Sequence, residues 1–129
     1  MRILHQAIGW SIVGSFAVLW LWAMATWVAL RIRRVSGPGR AFWWLLGFVQ
    51  VALLLQGIAG VILLVMGGRA TLLHYVYGIV FPVLLLLVAH VLARDDRFAD
   101  RPWLVFGWAS FFIFGLTFRA LDTGLGLLR

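Results

Sequence analysis

Four long apolar runs, separated by short polar gaps, dominate the pattern of this chain. They cover residues 7–30, 41–66, 72–93 and 103–124. As a helix rising about 1.5 Å per residue, each run is long enough to cross about 30 Å of hydrocarbon. Each is also far longer than a barrel strand and lacks strict alternation of apolar and polar residues. The pattern therefore predicts four transmembrane helices.

The shortness of the gaps constrains how these helices are arranged. Helices joined by short connections must be antiparallel, so the predicted fold is an all-α four-helix bundle, one transmembrane domain over residues 1–129. The chain is also interpreted as a tandem duplication of a two-helix hairpin, because His5 and His74 each precede a glycine by one helical turn near the start of the first and third spans. Such a duplication places these two spans parallel and diagonal in the bundle. Pro82 is expected to kink the third span.

Composition agrees with a membrane bundle and excludes other classes. Of the 129 residues, 64% are hydrophobic and 12% are charged, with a mean hydropathy of +1.05. A soluble domain carries roughly 25% charged residues, so a soluble enzyme, a disordered tail and a coiled coil are all excluded. The absence of cysteine removes disulfides, thiolate metal sites and thiol redox chemistry.

The net charge of +7 comes from eleven arginines and four aspartates, and the arginines are unevenly placed. Seven lie in the gaps 31–40 and 94–102, whereas three lie at the other side of the predicted bundle. Because short cytoplasmic loops are enriched in basic residues, the gaps 31–40 and 94–102 are predicted to face the cytoplasm and both termini to face outward from the plasma membrane. These arginines are expected to contact lipid headgroups rather than nucleic acid.

Two histidines form the first candidate site. His5 and His74 are expected at similar depth on parallel helices, and Gly9 and Gly78 follow them at i+4, on nearly the same helix faces. A ring nitrogen beside a bare helix surface suits a haem, so His5 and His74 are candidate axial ligands of the iron of one haem b. The alternative is that both histidines lie in the hydrated headgroup region of the membrane and that the glycines only permit close helix packing.

The polar residues of the other spans suggest further roles. Arg119 and Asp122 lie three residues apart and are expected to pair, either as a snorkelling charge or with Arg119 bound to a haem propionate or a quinone carbonyl. Gln56 is expected to form an interhelical hydrogen bond. His90 lies sixteen residues after His74 and about 160° around the helix, so it is expected at the inner interface and at most one haem is predicted.

Together these features resemble a four-helix membrane haem scaffold. The pattern is similar in plan to one half of a haem A synthase or to a smaller, simplified cytochrome b of the b561 kind. The resemblance rests on the duplicated hairpin with His5-Gln-Ala-Ile-Gly9 and His74-Tyr-Val-Tyr-Gly78, and it implies that the two histidines are axial ligands. Haem A synthesis itself is not implied, because Gln6 and Tyr75 stand where those enzymes carry arginine and the chain has no glutamate.

Two functions from different classes follow from the sequence. The first is a small membrane subunit, in or beside an electron-transfer chain, that binds one haem b and exchanges electrons with a quinone or a partner. The second is a structural or assembly subunit without a cofactor, packed against larger membrane subunits or against a second copy of the chain. A catalytic activity of its own is not expected, because no nucleophile–base pair or metal-binding spacing is present.

Overall fold

Four long helices make up the fold, which a computed structural model describes for residues 2–125. Within these residues the chain contains no strand, and all four helices are long and apolar enough to cross a membrane. The predicted all-α four-helix membrane bundle is therefore confirmed. The helices are α1 (Arg2–Arg31), α2 (Arg40–Val65), α3 (Leu72–Leu92) and α4 (Pro102–Leu125).

The helices pack in the order α2, α1, α4, α3 around the bundle. Helix α4 packs along both α1 and α3, α2 packs on α1, and α3 also touches α2. Small residues permit the α1–α4 approach, since a Cβ atom at Gly107 would lie 2.3 Å from the Cβ of Ala23. Among the described residues, no Cα atom of α1 lies within 8 Å of one in α3. The first and third spans are thus diagonal, while their origin by duplication stays a prediction.

The buried core does not extend through the whole bundle. Its residues lie between 12 and 26 in α1, between 42 and 53 in α2 and between 82 and 89 in α3. At the opposite end, which we call the histidine end because it carries His5 and His74, only α4 contributes buried residues. The residues of α1, α2 and α3 at the histidine end are therefore half-buried or exposed. The other end, with the two loops that precede Arg40 and Pro102, is called the arginine-rich end.

Helix α3 contains a π-helical turn where the sequence predicts a kink. Residues Val76–Val80 are π-helical, and the backbone N–H of Phe81 donates to the carbonyl of Val76. Pro82, which is buried, has no N–H with which to continue the regular ladder. The wider π turn directly before the proline accommodates this interruption. The irregularity therefore lies between His74 and the regular part of the helix.

The second helix ends in a Schellman motif that turns the chain towards α3. Gly67 has a φ of 87°, and its N–H donates to the Leu64 carbonyl at 3.1 Å. The N–H of Gly68 donates to the Leu63 carbonyl at 2.8 Å. The left-handed conformation at this position favours glycine. This tight end brings Thr71 into position to begin α3 one turn before His74.

Candidate functional site

Hydrogen bonds from two helices fix His74 in place. Its backbone N–H donates to the side-chain oxygen of Thr71, the residue that caps α3, at 3.3 Å. Its ring Nδ1 lies 2.8 Å from the Ala120 carbonyl of α4. Because a carbonyl only accepts, Nδ1 is the donor in this contact, and in the neutral imidazole Nε2 then carries the lone pair. A Cβ atom at Gly124 would lie 2.8 Å from the ring, so the absence of a side chain there makes room for the imidazole.

His5 occupies the matching position on α1. Its backbone carbonyl accepts a hydrogen bond of 2.8 Å from Nε2 of Gln56, which confirms the predicted interhelical role of that glutamine. Its ring lies beside Gly60, where a Cβ atom would be 3.6 Å from Cε1. Nδ1 of His5 and Oε1 of Gln56 are both buried and have no hydrogen-bond partner. The site therefore retains unused polar atoms in its interior.

The two histidine rings face each other across the bundle. Their centroids are 6.1 Å apart and their planes are inclined by 52°. The helices that carry them are diagonal and do not themselves touch, so the side chains alone bridge the interior at this level. Tyr75 packs against His74 with a centroid separation of 5.8 Å and nearly perpendicular rings. Two imidazoles from diagonal helices thus lie close together at the histidine end of the bundle.

Gly9 and Gly78, the predicted bare surfaces beside a porphyrin, both lie against neighbouring side chains. A Cβ atom at Gly9 would lie 3.3 Å from Nε2 of Gln56 and 3.4 Å from Cδ1 of Leu121. A Cβ atom at Gly78 would lie 3.4 Å from that of Ala120. Both glycines therefore permit close approach of neighbouring helices, which was the alternative interpretation, and a role of either beside a macrocycle stays a prediction.

Arg119 and Asp122 form the predicted pair on α4. Nη1 of Arg119 lies 2.9 Å from Oδ2 of Asp122, and the side chains are 54% and 5% exposed. Within residues 2–125 this is the only hydrogen bond of the Arg119 side chain, and Oδ1 of Asp122 is buried without a partner. The cation thus reaches the surface while the carboxylate stays inside the bundle. Among the described residues, Arg119 forms no hydrogen bond or cation–π contact with either histidine ring of the site.

His90 is separate from this site, as its spacing predicts. Its Nδ1 donates to the Leu86 carbonyl at 2.7 Å, and its ring packs edge-on against Phe106 at a centroid distance of 5.0 Å. It lies near the arginine-rich end of α3, on the far side of the π turn. Since it shares a helix with His74 but contacts nothing at the histidine end, it offers a matched control for experiments on that site.

Sequence reasoning missed the residues that orient His74. Thr71 carries a usable signal, because a threonine three residues before the amide that it caps is typical of a helix start. The Ala120 carbonyl and Gly124 carry none, since a backbone oxygen and a missing side chain acquire a role only when α4 packs against α3.

The fold and the site define a four-helix membrane protein with a pair of facing histidines. Comparisons of this chain with protein-family models, curated proteins and solved structures found no match. Among residues 2–125, no cluster of three or more histidine, cysteine or acidic side chains could hold a metal ion. The two imidazoles offer two ligands, so a metal held here needs its remaining ligands from elsewhere, as the iron of a haem has from its macrocycle.

Proposed function

We propose that this protein is a small membrane cytochrome, which binds one haem b between His5 and His74 and transfers electrons within or beside an electron-transfer chain. The observation that carries the proposal is the ring separation of 6.1 Å. A transition metal binds an imidazole nitrogen at about 2 Å, and that nitrogen lies about 1.1 Å from the ring centroid, so two axial rings on one iron are expected about 6 Å apart. The observed separation of the ring centroids is close to this expected value, which supports the proposal.

The hydrogen bond of His74 supports the same proposal. Metal-ligating histidines almost always donate their second ring N–H to a carboxylate, a backbone carbonyl or water. The Ala120 carbonyl accepts such a bond from Nδ1 of His74. This contact fixes the ring orientation and makes Nε2 more basic, as ligation requires. His5 has no equivalent partner, and its buried Nδ1 remains available.

Space for a macrocycle is the second requirement. Between Arg2 and Ser11 of α1, and between Leu72 and Phe81 of α3, no residue is buried. The histidine end is therefore the part of the bundle that could accommodate a large ligand with least disruption of the core. The close contacts at Gly9 and Gly78 imply that the helices separate locally when it binds.

In this proposal a bound haem b supplies reversible one-electron chemistry, and the residues of the chain control its position. His5 and His74 hold it near the outer face, and the Ala120 carbonyl sets the proton on the His74 ring. Arg119, half exposed and tied to Asp122, is the proposed partner of a propionate or of a quinone carbonyl.

We also infer the placement of the protein in its membrane. The arginines of the loops 31–40 and 94–102 lie together at one end of the bundle. In a plasma membrane this end would face the cytoplasm and the histidine end would face outward. Larger membrane subunits or a second copy of the chain are the proposed neighbours within the bilayer.

The visible spectrum of the protein, purified in mild detergent with haem supplied during expression, tests the cytochrome proposal. We expect a sharp α-band on reduction with dithionite and about one haem per chain by pyridine haemochrome assay. H5A and H74A should each abolish this band, because each removes one axial ligand. The matched control H90A, on the same helix as His74, should retain it.

Two outcomes would contradict the proposal. If H90A loses the haem and H74A keeps it, the ligands are wrongly assigned. A colourless wild-type protein, folded and unable to take up added haem, would favour the assembly-subunit alternative, and the next experiment would then identify the proteins that co-purify with it.

A further inference from the structure

The arginine-rich end contains a cavity that the proposed cytochrome function does not use. It has a volume of about 190 Å³ and lies between the end of α1 and the start of α4. A cavity needs only roughly 10–15 Å³ to admit one water molecule, so this one has room for a polar group much larger than water. Its walls include Trp27, Arg31, Asp100, Arg101 and Trp103.

Two arginines of this cavity are available to a ligand. Among residues 2–125, neither Arg31 nor Arg101 forms an ion pair, whereas Arg97 of the same loop as Arg101 is paired with Asp95. Arg31 is held in the wall by Trp27, with its guanidinium carbon 5.0 Å from the centre of the indole ring. Stacking of this kind orients a guanidinium but leaves its N–H groups free to donate.

Two further features favour an anion. Helix α4 begins at Pro102, next to Arg101, and its first turn contains no acidic residue. The amides and the dipole of a helix N-terminus attract negative charge, and here no side chain of the first turn supplies it. Asp100 reduces the charge of the two arginines to a net +1, which matches one singly charged group better than a multiply charged one.

The position of the cavity indicates where the anion comes from. Arg31 ends one membrane-spanning helix and Pro102 begins another, so the cavity lies at headgroup depth. Its aromatic walls, Trp27 and Trp103, are the residue type enriched at membrane interfaces. Basic pockets between transmembrane helices at this level bind lipid headgroups.

We propose that this cavity is a phospholipid site, in which Arg31 and Arg101 donate hydrogen bonds to the phosphodiester group of one membrane lipid. The two guanidinium groups recognise the phosphate oxygens, and the partly exposed Trp27 packs beside the glycerol and upper acyl region. The site is built from α1, α4 and the loops of the arginine-rich end. It stands independently of haem binding at the opposite end.

Native mass spectrometry of the detergent-solubilised full chain, titrated with phosphatidylglycerol, tests the proposal. We expect one lipid to bind ahead of all others, and R31Q/R101Q to weaken that binding about tenfold or more. The matched control R34Q/R94Q removes one arginine from each of the same two loops but none from the cavity, so it should change binding less than about twofold. R31K/R101K retains the charge and should recover only part of the affinity, because lysine lacks the planar fork.

Further titrations distinguish the source of the phosphate. Diacylglycerol, which lacks the phosphodiester, should fail to occupy the site, and inorganic phosphate should fail to displace the lipid. Equal loss in R31Q/R101Q and R34Q/R94Q would overturn the proposal in favour of general surface charge. Binding of diacylglycerol, or displacement by inorganic phosphate, would overturn it in favour of acyl-chain binding or of a free-phosphate site. Unchanged thermal stability of the variants shows that a loss of binding is not a loss of fold.

Discussion

Replacing Gly107 by alanine tests a close contact between α1 and α4. Gly107 of α4 is buried against Ala23 of α1, which has no exposed surface. A Cβ atom at residue 107 would lie 2.3 Å from the Cβ of Ala23 and 3.8 Å from its Cα. The obstacle is thus a methyl group held directly on a helix backbone, not the flexible end of a long side chain. Helices α1 and α4 must therefore separate to admit the new methyl group.

The size of the effect follows from this geometry. Carbon atoms in contact are most stable about 3.5–4.0 Å apart, so α1 and α4 must separate locally by about 1.2–1.7 Å. Overpacking of a well-packed interior typically costs about 1–3 kcal/mol. Because this contact is buried and the methyl group of Ala23 is fixed on a helix backbone, we expect G107A to lower the free energy of unfolding by this amount.

The measurement is reversible unfolding in mixed micelles of mild detergent and SDS, followed by circular dichroism. Gly115 of the same helix is the matched control, because a Cβ atom there meets nothing within 4 Å, so G115A should change stability by less than about 0.5 kcal/mol. The double variant A23G/G107A moves the methyl group from α1 to α4 and should be more stable than G107A alone. If G107A equals G115A, or if the two changes at residues 23 and 107 are additive, the packing argument is refuted.

Two further predictions concern the ion pairs. R119Q leaves the buried Asp122 carboxylate without its cation, whereas D122N removes the buried charge. R119Q should therefore lower the free energy of unfolding by about 1–2 kcal/mol more than D122N does, a smaller difference than for a fully buried pair because Arg119 is half exposed. Equal losses in the same SDS titration would contradict this reasoning. In the loop after α3, hydrogen bonds from the Arg97 side chain hold the pKa of Asp95 below its usual value. The stability contributed by a lowered carboxyl pKa is present above the ordinary aspartate pKa of about 4 and is lost as the pH falls through the lowered pKa. Plots of the free energy of unfolding against pH should therefore differ in shape between wild type and D95N only below about pH 4.

The helices were predictable because the membrane makes a strong demand on sequence. A span must be apolar over about twenty residues and must satisfy its own backbone, and nothing else in this chain competes with that pattern. The ends of the helices were harder to predict than the helices themselves. Helix α1 begins at Arg2 and not at residue 7, because polar residues at a helix end can remain helical in the headgroup region. The π turn before Pro82 could not be predicted from the sequence either. A proline predicts an interruption of the helix but not the backbone geometry around it.

The candidate site was predictable at its centre and less so at its periphery. The matched spacing of His5 and His74 from their glycines was enough to suggest that the two rings occupy one level, and the structure brings them together. Which surface each glycine presents to its neighbours depends on the rotation of α4 and α2, and no local pattern encodes that rotation. For the same reason the hydrogen bond to the Ala120 carbonyl had no signature, because it depends on where α4 lies against α3.

Three of the five buried side-chain polar atoms that lack a hydrogen-bond partner within residues 2–125 lie at the histidine end. An interior polar atom without a hydrogen bond is costly. His5 Nδ1, Gln56 Oε1 and Asp122 Oδ1 lie at the end where the apolar core is thinnest, whereas Trp20 Nε1 and Ser110 Oγ lie further along α1 and α4. Apolar residues of similar size at these positions would leave no polar atom unpartnered, so they are expected to stabilise the isolated chain. The polar atoms at the histidine end are therefore disadvantageous for the isolated chain, which agrees with the proposal that a ligand completes this end.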